Sequence, residues 1–518
     1  MPHFPPVVFA IAFAALVVAL TALARKLPIP TPILQVLAGL LIGFVPGITI
    51  PDLDPDLVFF VFLPPVLWSA AMFTSPREFR RNITSIGLLA IGLVLVTTVA
   101  VAIAAHQLFP AMPWAVAIAL GAIVSPPDAV AATAIVSRLQ VPRRVITVLE
   151  GESLVNDASA LILYRTAVAA AVVGTFSWGE SIVRFFIDAG VGALVGTLVA
   201  WLIIRASKLT RDALAETLLT LAGPYLAWLA AESIHVSAVL ACVAGGLYLR
   251  QHLSTAVGPL SRLQTRLVWD LVVFLLNAMI FLLLGAQFSS LMRMIPPGSF
   301  GFVLRAGLVV VAVAIGVRLA WVPLVALIRR ARGGDPPRWK SLALVSWTSM
   351  RGVVSLATAL ALPHELANGR PFPYRAEIIL ITMFVIVATL VVQGFSLAPI
   401  VRRLRFPPET EHLTEERLAR HEAARRGAEA LEDLSHEEWA DPHDVEVLRE
   451  EIRERMRMLE QNGGNRKGRR RLRLAMIGAE RRMLIRLRNE GAISDDVLRA
   501  LELELDLEAV RAGAGGVS

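Results

Sequence analysis

Apolar runs, each about long enough to cross a bilayer and separated by short polar loops, fill residues 4–401 of the chain. At about 20 apolar residues per crossing, they fall at roughly 4–24, 27–45, 56–74, 83–105, 113–136, 145–174, 182–204, 213–231, 234–249, 267–288, 300–328, 341–362 and 376–401. This pattern predicts an all-α polytopic membrane protein with thirteen transmembrane helices. Beyond 402 the composition changes to a dense mixture of Arg and Glu. There Asp444 to Glu460 and Leu472 to Asn489 keep helical amphipathicity, Gln461-Asn462-Gly463-Gly464-Asn465 reads as a hinge, and Ser494-Asp495-Asp496 as a helix start. The expected division is a transmembrane domain, 1–401, and a charged helical tail, 402–518, with a regulatory role.

Two runs are interrupted. The fifth carries Val124-Ser125-Pro126-Pro127-Asp128, where two prolines remove backbone donors and disfavour helix before them. The twelfth carries Ser346-Trp347-Thr348-Ser349-Met350-Arg351-Gly352, with an arginine and a glycine at mid-depth. The two occupy matching places if runs one to six and eight to thirteen are inverted repeats joined by the seventh. Paired discontinuous helices of this kind point to a transporter's central site.

Loop charge orients the chain. Alternate loops hold Arg25 and Lys26; Arg77, Arg80 and Arg81; Arg138, Arg143 and Arg144; Arg205, Lys208 and Arg211; Arg250, Arg262 and Arg266; and Arg329, Arg330, Arg332, Arg338 and Lys340. The opposite loops hold only Arg293, Arg370 and Arg375. By the positive-inside rule the N-terminus is outside and the tail cytoplasmic. The first run lacks a basic stretch before it and an A-x-A site after it, so it is expected to be a retained helix in a cell-membrane protein.

Composition narrows the function. With 518 residues of which 56% are hydrophobic, a water-soluble reading is excluded. The net charge of +8 resides in membrane-flanking loops and the tail, so nucleic-acid binding is not expected. The single cysteine, Cys242, lies in an apolar run and forms no intrachain disulfide.

The candidate chemistry lies in the sixth run, at Gly151-Glu152-Ser153-Leu154-Val155-Asn156-Asp157-Ala158-Ser159. A carboxylate at mid-membrane costs roughly 2.5–3.5 kcal/mol on insertion scales, so two of them indicate function. Ser153 and Asp157 are four apart, as are Glu152 and Asn156, which places two carboxylates, a hydroxyl and a carboxamide on one strip of helix. Oxygen ligands of this kind suit hard monovalent cations, while the absence of His and Cys argues against zinc or copper. A carboxylate out of water favours its protonated form, so one group can serve in turn as proton carrier and cation ligand. Asp128 follows the double proline and is a candidate for the positive end of a half-helix. Arg351 stays charged and needs a carboxylate or a helix C-terminus as partner.

At these residues the chain resembles the cation:proton antiporter superfamily, in its electroneutral sodium/proton exchanger (NhaP-type and animal exchanger) branch. The resemblance covers most of residues 5–401 and rests on four motifs in order. These are Phe62-Leu63-Pro64-Pro65, Ser125-Pro126-Pro127-Asp128-Ala129-Val130-Ala131-Ala132-Thr133, Gly151-Glu152-Ser153-Leu154-Val155-Asn156-Asp157 and Arg351-Gly352. It implies a homodimer in the lipid bilayer, each subunit with a dimerisation part and a mobile core of crossed broken helices. It also implies that Asp157 binds the ion and the proton with help from Ser153, and that Glu152 pairs with Arg351. Asn156 stands where the electrogenic branch has a second aspartate, so one titrating Asp157 exchanges one H+ for one monovalent cation. Two positions depart from the pattern: Ser69 where many relatives carry an acid, and Pro127 where many carry threonine.

The expected function is antiport of Na+, with K+ or Li+ as alternatives, against H+ by alternating access, with no cofactor. The ion-binding set is Asp157, Ser153, Asn156 and Asp128. A K+/H+ antiporter, a passive cation channel and a transport-dead sensor are the rivals. No nucleophile–base pair or His-rich motif supports an intramembrane hydrolase.

Overall fold

A backbone with no water to bond must satisfy itself, and in a single apolar run only a helix does so. The computed structural model describes residues 6–27, 29–45, 55–128, 132–133, 136, 139, 141–173, 178–210, 212–293, 300–331, 333, 338–406, 410–437, 439–460, 466–490, 492 and 494–511. Among them the regular elements are helices, with no strand. The chain divides into two units, Met1–Pro407 and Pro408–Ser518.

The first unit begins with α1 (Pro6–Lys26), α2 (Thr31–Gly43), α3 (Pro55–Phe73) and the short α4 (Pro76–Arg81). Then come α5 (Ile83–Leu108), α6 (Trp114–Val124), α7 (Arg143–Val173) and α8 (Trp178–Thr210). It continues with α9 (Ala213–Ser233), α10 (Ala238–Ala256), α11 (Pro259–Arg293) and α12 (Phe300–Ala331). The unit closes with α13 (Trp339–Trp347), α14 (Val353–Leu360) and α15 (Arg375–Leu404). Each predicted run meets one helix, apart from the two interrupted ones. The twelfth is split into α13 and α14, and in the fifth α6 stops at Val124. Residues 129–131, 134 and 135 of the fifth run, and the expected hinge at 461–465, lie outside the described residues.

Among the described residues six helices, α5, α8, α9, α11, α12 and α15, are long and apolar enough on composition alone to cross a bilayer. α7 is not among them, because Glu150, Glu152, Asp157 and Arg165 dilute its hydropathy. Small residues bring neighbours together: a Cβ on Gly39 of α2 would strike the Leu282 carbonyl of α11, and one on Gly285 of α11 the Val36 carbonyl of α2. Proline inside a helix frees a carbonyl one turn back, and α3 shows how it is recovered. Pro65 cannot donate to Val61, whose carbonyl instead accepts from the Tyr225 hydroxyl of α9 at 3.3 Å.

The apolar core falls largely into two clusters. One unites buried residues of α5, α6 and α12 to α15, and the other those of α3 and α8 to α10 around Trp68 and Trp269. α7 contributes to both, with Val148, Leu149 and Tyr164 in the first and Leu154 and Ala158 in the second. The polar cluster therefore sits on the helix that forms the seam between them.

In the second unit, α16 (Thr410–Leu434) and α17 (Pro442–Glu460) are joined by Arg449, which donates to both carboxylate oxygens of Glu432 at 2.9 Å. α18 (Arg466–Asn489) and α19 (Asp495–Arg511) are tied by the Arg473–Glu508 and Arg481–Asp506 ion pairs. The expected helix start is found: Ser494 Oγ accepts from Val497 N at 3.3 Å.

Candidate functional site

The site is built where the two interrupted helices meet. α6 ends at Val124 because Pro126 and Pro127 remove the donors that would continue it, and Ser125 to Asp128 leave the helix. In the other half the chain runs non-helically from Thr348 to Gly352 between α13 and α14. Such a stretch at membrane depth must find partners for its backbone. α15 supplies them from one face, one turn apart: Arg351 N donates to Thr389 Oγ1 at 3.1 Å and Ser349 N to Gln393 Oε1 at 3.0 Å. Between these two residues, the Met350 carbonyl accepts from Asp128 N at 2.6 Å. The two breaks are hydrogen-bonded to each other.

Charge follows the helix ends. Arg351 is 2% exposed; its Nε donates to the Val124 carbonyl, the last of α6, at 2.9 Å, and its Nη1 bonds the Ser349 carbonyl and hydroxyl. The guanidinium thus rests on the negative end of α6. Asp128 rests on the positive end of the other half-helix: its carboxylate abuts Gly352, the residue before α14, where a Cβ would overlap it. Arg375 repeats the pattern at the C-terminus of α14, donating to Leu362 O at 2.9 Å and Leu360 O at 3.1 Å.

The expected pairing of Glu152 with Arg351 is not formed. Glu152, 1% exposed on α7, is bonded at both oxygens by Arg318 of α12, with Nη1 on Oε1 and Nη2 on Oε2 at 2.8 Å. Arg318 Nε donates to Val345 O in the last turn of α13 at 2.9 Å. The planar fork of one guanidinium satisfies both carboxylate oxygens, leaving Arg351 to the helix end that the break provides. Arg318 was missed by the sequence reading, although the rule that singles out an ionisable residue within a run applies equally to position 318. Thr389 and Gln393 were missed too, for they look like ordinary polar residues of an apolar helix.

Asp157 is 7% exposed, and among the described residues no side chain donates a hydrogen bond or forms an ion pair with it. It lies close enough to Asp128 for their charges to interact. Asn156, fully buried beside it, donates from Nδ2 to the Pro127 carbonyl at 2.9 Å, so the proline that departs from the family pattern is held by α7. Its Oδ1 is buried with no donor among the described residues. Ser153 is half-buried and makes polar contact. Ser69 is buried on α3 and donates to its own helix, to Val66 O at 3.0 Å. The structure thus brings Asp128, Asn156 and Asp157 to the crossing, with Glu152 and Arg351 nearby.

Other polar residues of the runs lie elsewhere. Asp270 forms a 4.0 Å surface pair with Arg266, and Arg165 is exposed on α7. Glu232 accepts from Trp228 Nε1 at 2.8 Å, and His106 Nδ1 meets Met112 O at 2.9 Å.

Residues 11–403 match a family model described as "Sodium/hydrogen exchanger, transmembrane". Over 97% of its length the chain is 35% identical to a protein of Mycobacterium tuberculosis named as an uncharacterized Na(+)/H(+) exchanger, covering 95% of that protein. It is 33% identical to a Bacillus subtilis protein named as a sodium, potassium, lithium and rubidium/H(+) antiporter, over 70% of this chain and 56% of that one. Among solved structures, the sodium proton antiporter MjNhaP1 of Methanocaldococcus jannaschii superposes with a TM-score of 0.60 at 20% identity. That match covers 77% of this chain and 98% of the other, and is a likeness of fold.

Proposed function

The chain belongs to the sodium/hydrogen exchanger family, and we propose on that premise that it exchanges one monovalent cation for one proton at Asp157. The observation that carries this reading is a buried carboxylate at the crossing of two broken helices, with no cationic partner among the described residues. Charge at the crossing supports the stoichiometry. Glu152 is neutralised by Arg318, Asp128 and Arg351 carry opposite charges held at separate helix ends, and ionised Asp157 brings the formal count to one negative charge. One H+ or one Na+ cancels it, so each turnover moves no net charge.

Asp157 is the group the two substrates compete for. Asn156 Oδ1 and Ser153 are the neutral oxygens beside it, and Asp128 is the anion that favours a cation over an empty site. Ser69 leaves α3 without an acidic ligand. A site with one titrating carboxylate and otherwise few charges discriminates weakly among monovalent cations, so K+ is the second substrate to test; the name borne by the Bacillus subtilis relative favours including it. The seam position of α7 fits alternating access, in which the two clusters move against each other about the ion. The chain is read as a multi-pass cell-membrane protein, a homodimer, with its basic loops and tail cytoplasmic.

Proton flux in proteoliposomes under an imposed pH gradient tests this, with Na+, K+ or Li+ added and the membrane potential clamped or free. The expected result is cation-dependent, potential-independent flux that Asp157→Asn abolishes. Flux driven by potential without counter-transport and unaffected by the substitution would make the protein a channel.

A further inference from the structure

We propose that the cavity between the ends of α8 and α10 is a binding site for the phosphate of an anionic phospholipid. It is lined by Trp201, Ile204, Arg205, Lys208, Tyr248 and His252 and has a volume of about 160 Å³. That is room enough for a phosphate group.

The two helices run in the same direction with little between them. A Cβ on Gly192 would meet the backbone of Ser237, and one on Gly196 that of Ala241. This close approach sets the spacing from which the cavity opens. On α8, Trp201, Arg205 and Lys208 recur with helical spacing and share a face. On α10, Tyr248 and His252 are one turn apart, their rings 4.3 Å between centroids, with His252 Nδ1 at 3.0 Å from Tyr248 O. Arg205 and Lys208 are exposed, and among the described residues no carboxylate pairs with either. The acid nearest in sequence, Asp212, caps α9 by accepting from Ala215 N at 3.0 Å. Two cations with no carboxylate partner among the described residues and three aromatic side chains at the basic end of the bundle form the usual recognition chemistry for an anionic headgroup.

What favours a lipid over a phosphate from solution is the surface leading away from the cavity. Leu194, Leu198 and Leu202 form an exposed apolar stripe one turn apart along α8, and Trp201, 45% exposed, stands where that stripe meets the cations. A phosphate bound by Arg205 and Lys208 lets its acyl chains lie on that stripe.

Thermal unfolding of the full-length protein in detergent tests the site, with phosphatidylglycerol, phosphatidylcholine or inorganic phosphate added. Phosphatidylglycerol is expected to raise Tm more than phosphatidylcholine. That increment should be retained by Arg205→Lys/Lys208→Arg and by the control Arg402→Ala/Arg403→Ala, and largely lost in Arg205→Ala/Lys208→Ala. No increment in the wild type, or an undiminished one in Arg205→Ala/Lys208→Ala, overturns the proposal. An increment reproduced by inorganic phosphate alone assigns the cavity to a soluble anion and overturns it as well.

Discussion

Arg318 and Arg351 are both buried at membrane depth, 1% and 2% exposed, and both lie near Glu152, yet they are neutralised differently. Arg318 holds a full negative charge through a two-pronged bond, whereas Arg351 holds the carbonyl end of α6 and the Ser349 oxygens. A broken helix therefore does part of a carboxylate's work: its exposed C-terminus is a fractional anion. The difference matters beside an ion site. A second carboxylate spent on Arg351 would make the crossing more negative, while a helix end holds the arginine without adding a titrating group.

The sharpest way to break this comparison is to remove one guanidinium at a time. Arg318→Met leaves the Glu152 charge buried and unpaired, which should cost about 3–5 kcal/mol and lower Tm in detergent. Glu152→Gln/Arg318→Met should recover most of that loss, and a double variant as unstable as the single one would show that the pair is not coupled. Arg351→Met strands carbonyls in place of a charge, so about 2 kcal/mol is expected, with exchange impaired more than stability because the side-chain link from the second break to the end of α6 is lost while the Asp128–Met350 backbone bond remains. Gly352→Ala should cost about 1–3 kcal/mol, the range for overpacking, since the added Cβ meets the Cβ of Asp128 as well as its carboxylate. Its signature is a raised apparent KM for the cation.

The smallest effect belongs to an exposed pair in the tail. The hydrogen bond from Arg449 holds the Glu432 carboxyl below its ordinary range. A depressed carboxyl stabilises the folded state above its unfolded pKa of about 4.3 and loses that contribution as pH falls through the folded value. Protease cleavage between α16 and α17 should thus rise in acid for the wild type and vary less with pH in Arg449→Ala.

The runs of apolar residues were legible because bilayer thickness dictates their length, and the breaks because Pro126, Pro127 and Gly352 forbid or weaken helix locally. The polar strip on α7 was legible for a related reason: Glu152 and Asp157 are costly where they stand. The partners were not. That Arg351 needs a carboxylate or a helix end follows from its charge, but the choice depends on how closely α12 packs on α7, which no one-dimensional pattern contains. Arg318, with no motif around it, gave only the signal of an arginine inside an apolar run. Thr389 and Gln393 gave less still, since their task exists only once the segment from Thr348 to Gly352 has left its helix.

The contact of Asp128 with Gly352 has an evolutionary consequence. The carboxylate fills the space a side chain at 352 would need, so what position 352 can hold depends on the residue at 128. A lineage that shortens or loses the acid at 128 is released to explore larger residues at 352, while one that keeps the acid is bound to glycine. Among descendants of this chain a residue larger than glycine at 352 should appear only where the acid at 128 has been lost.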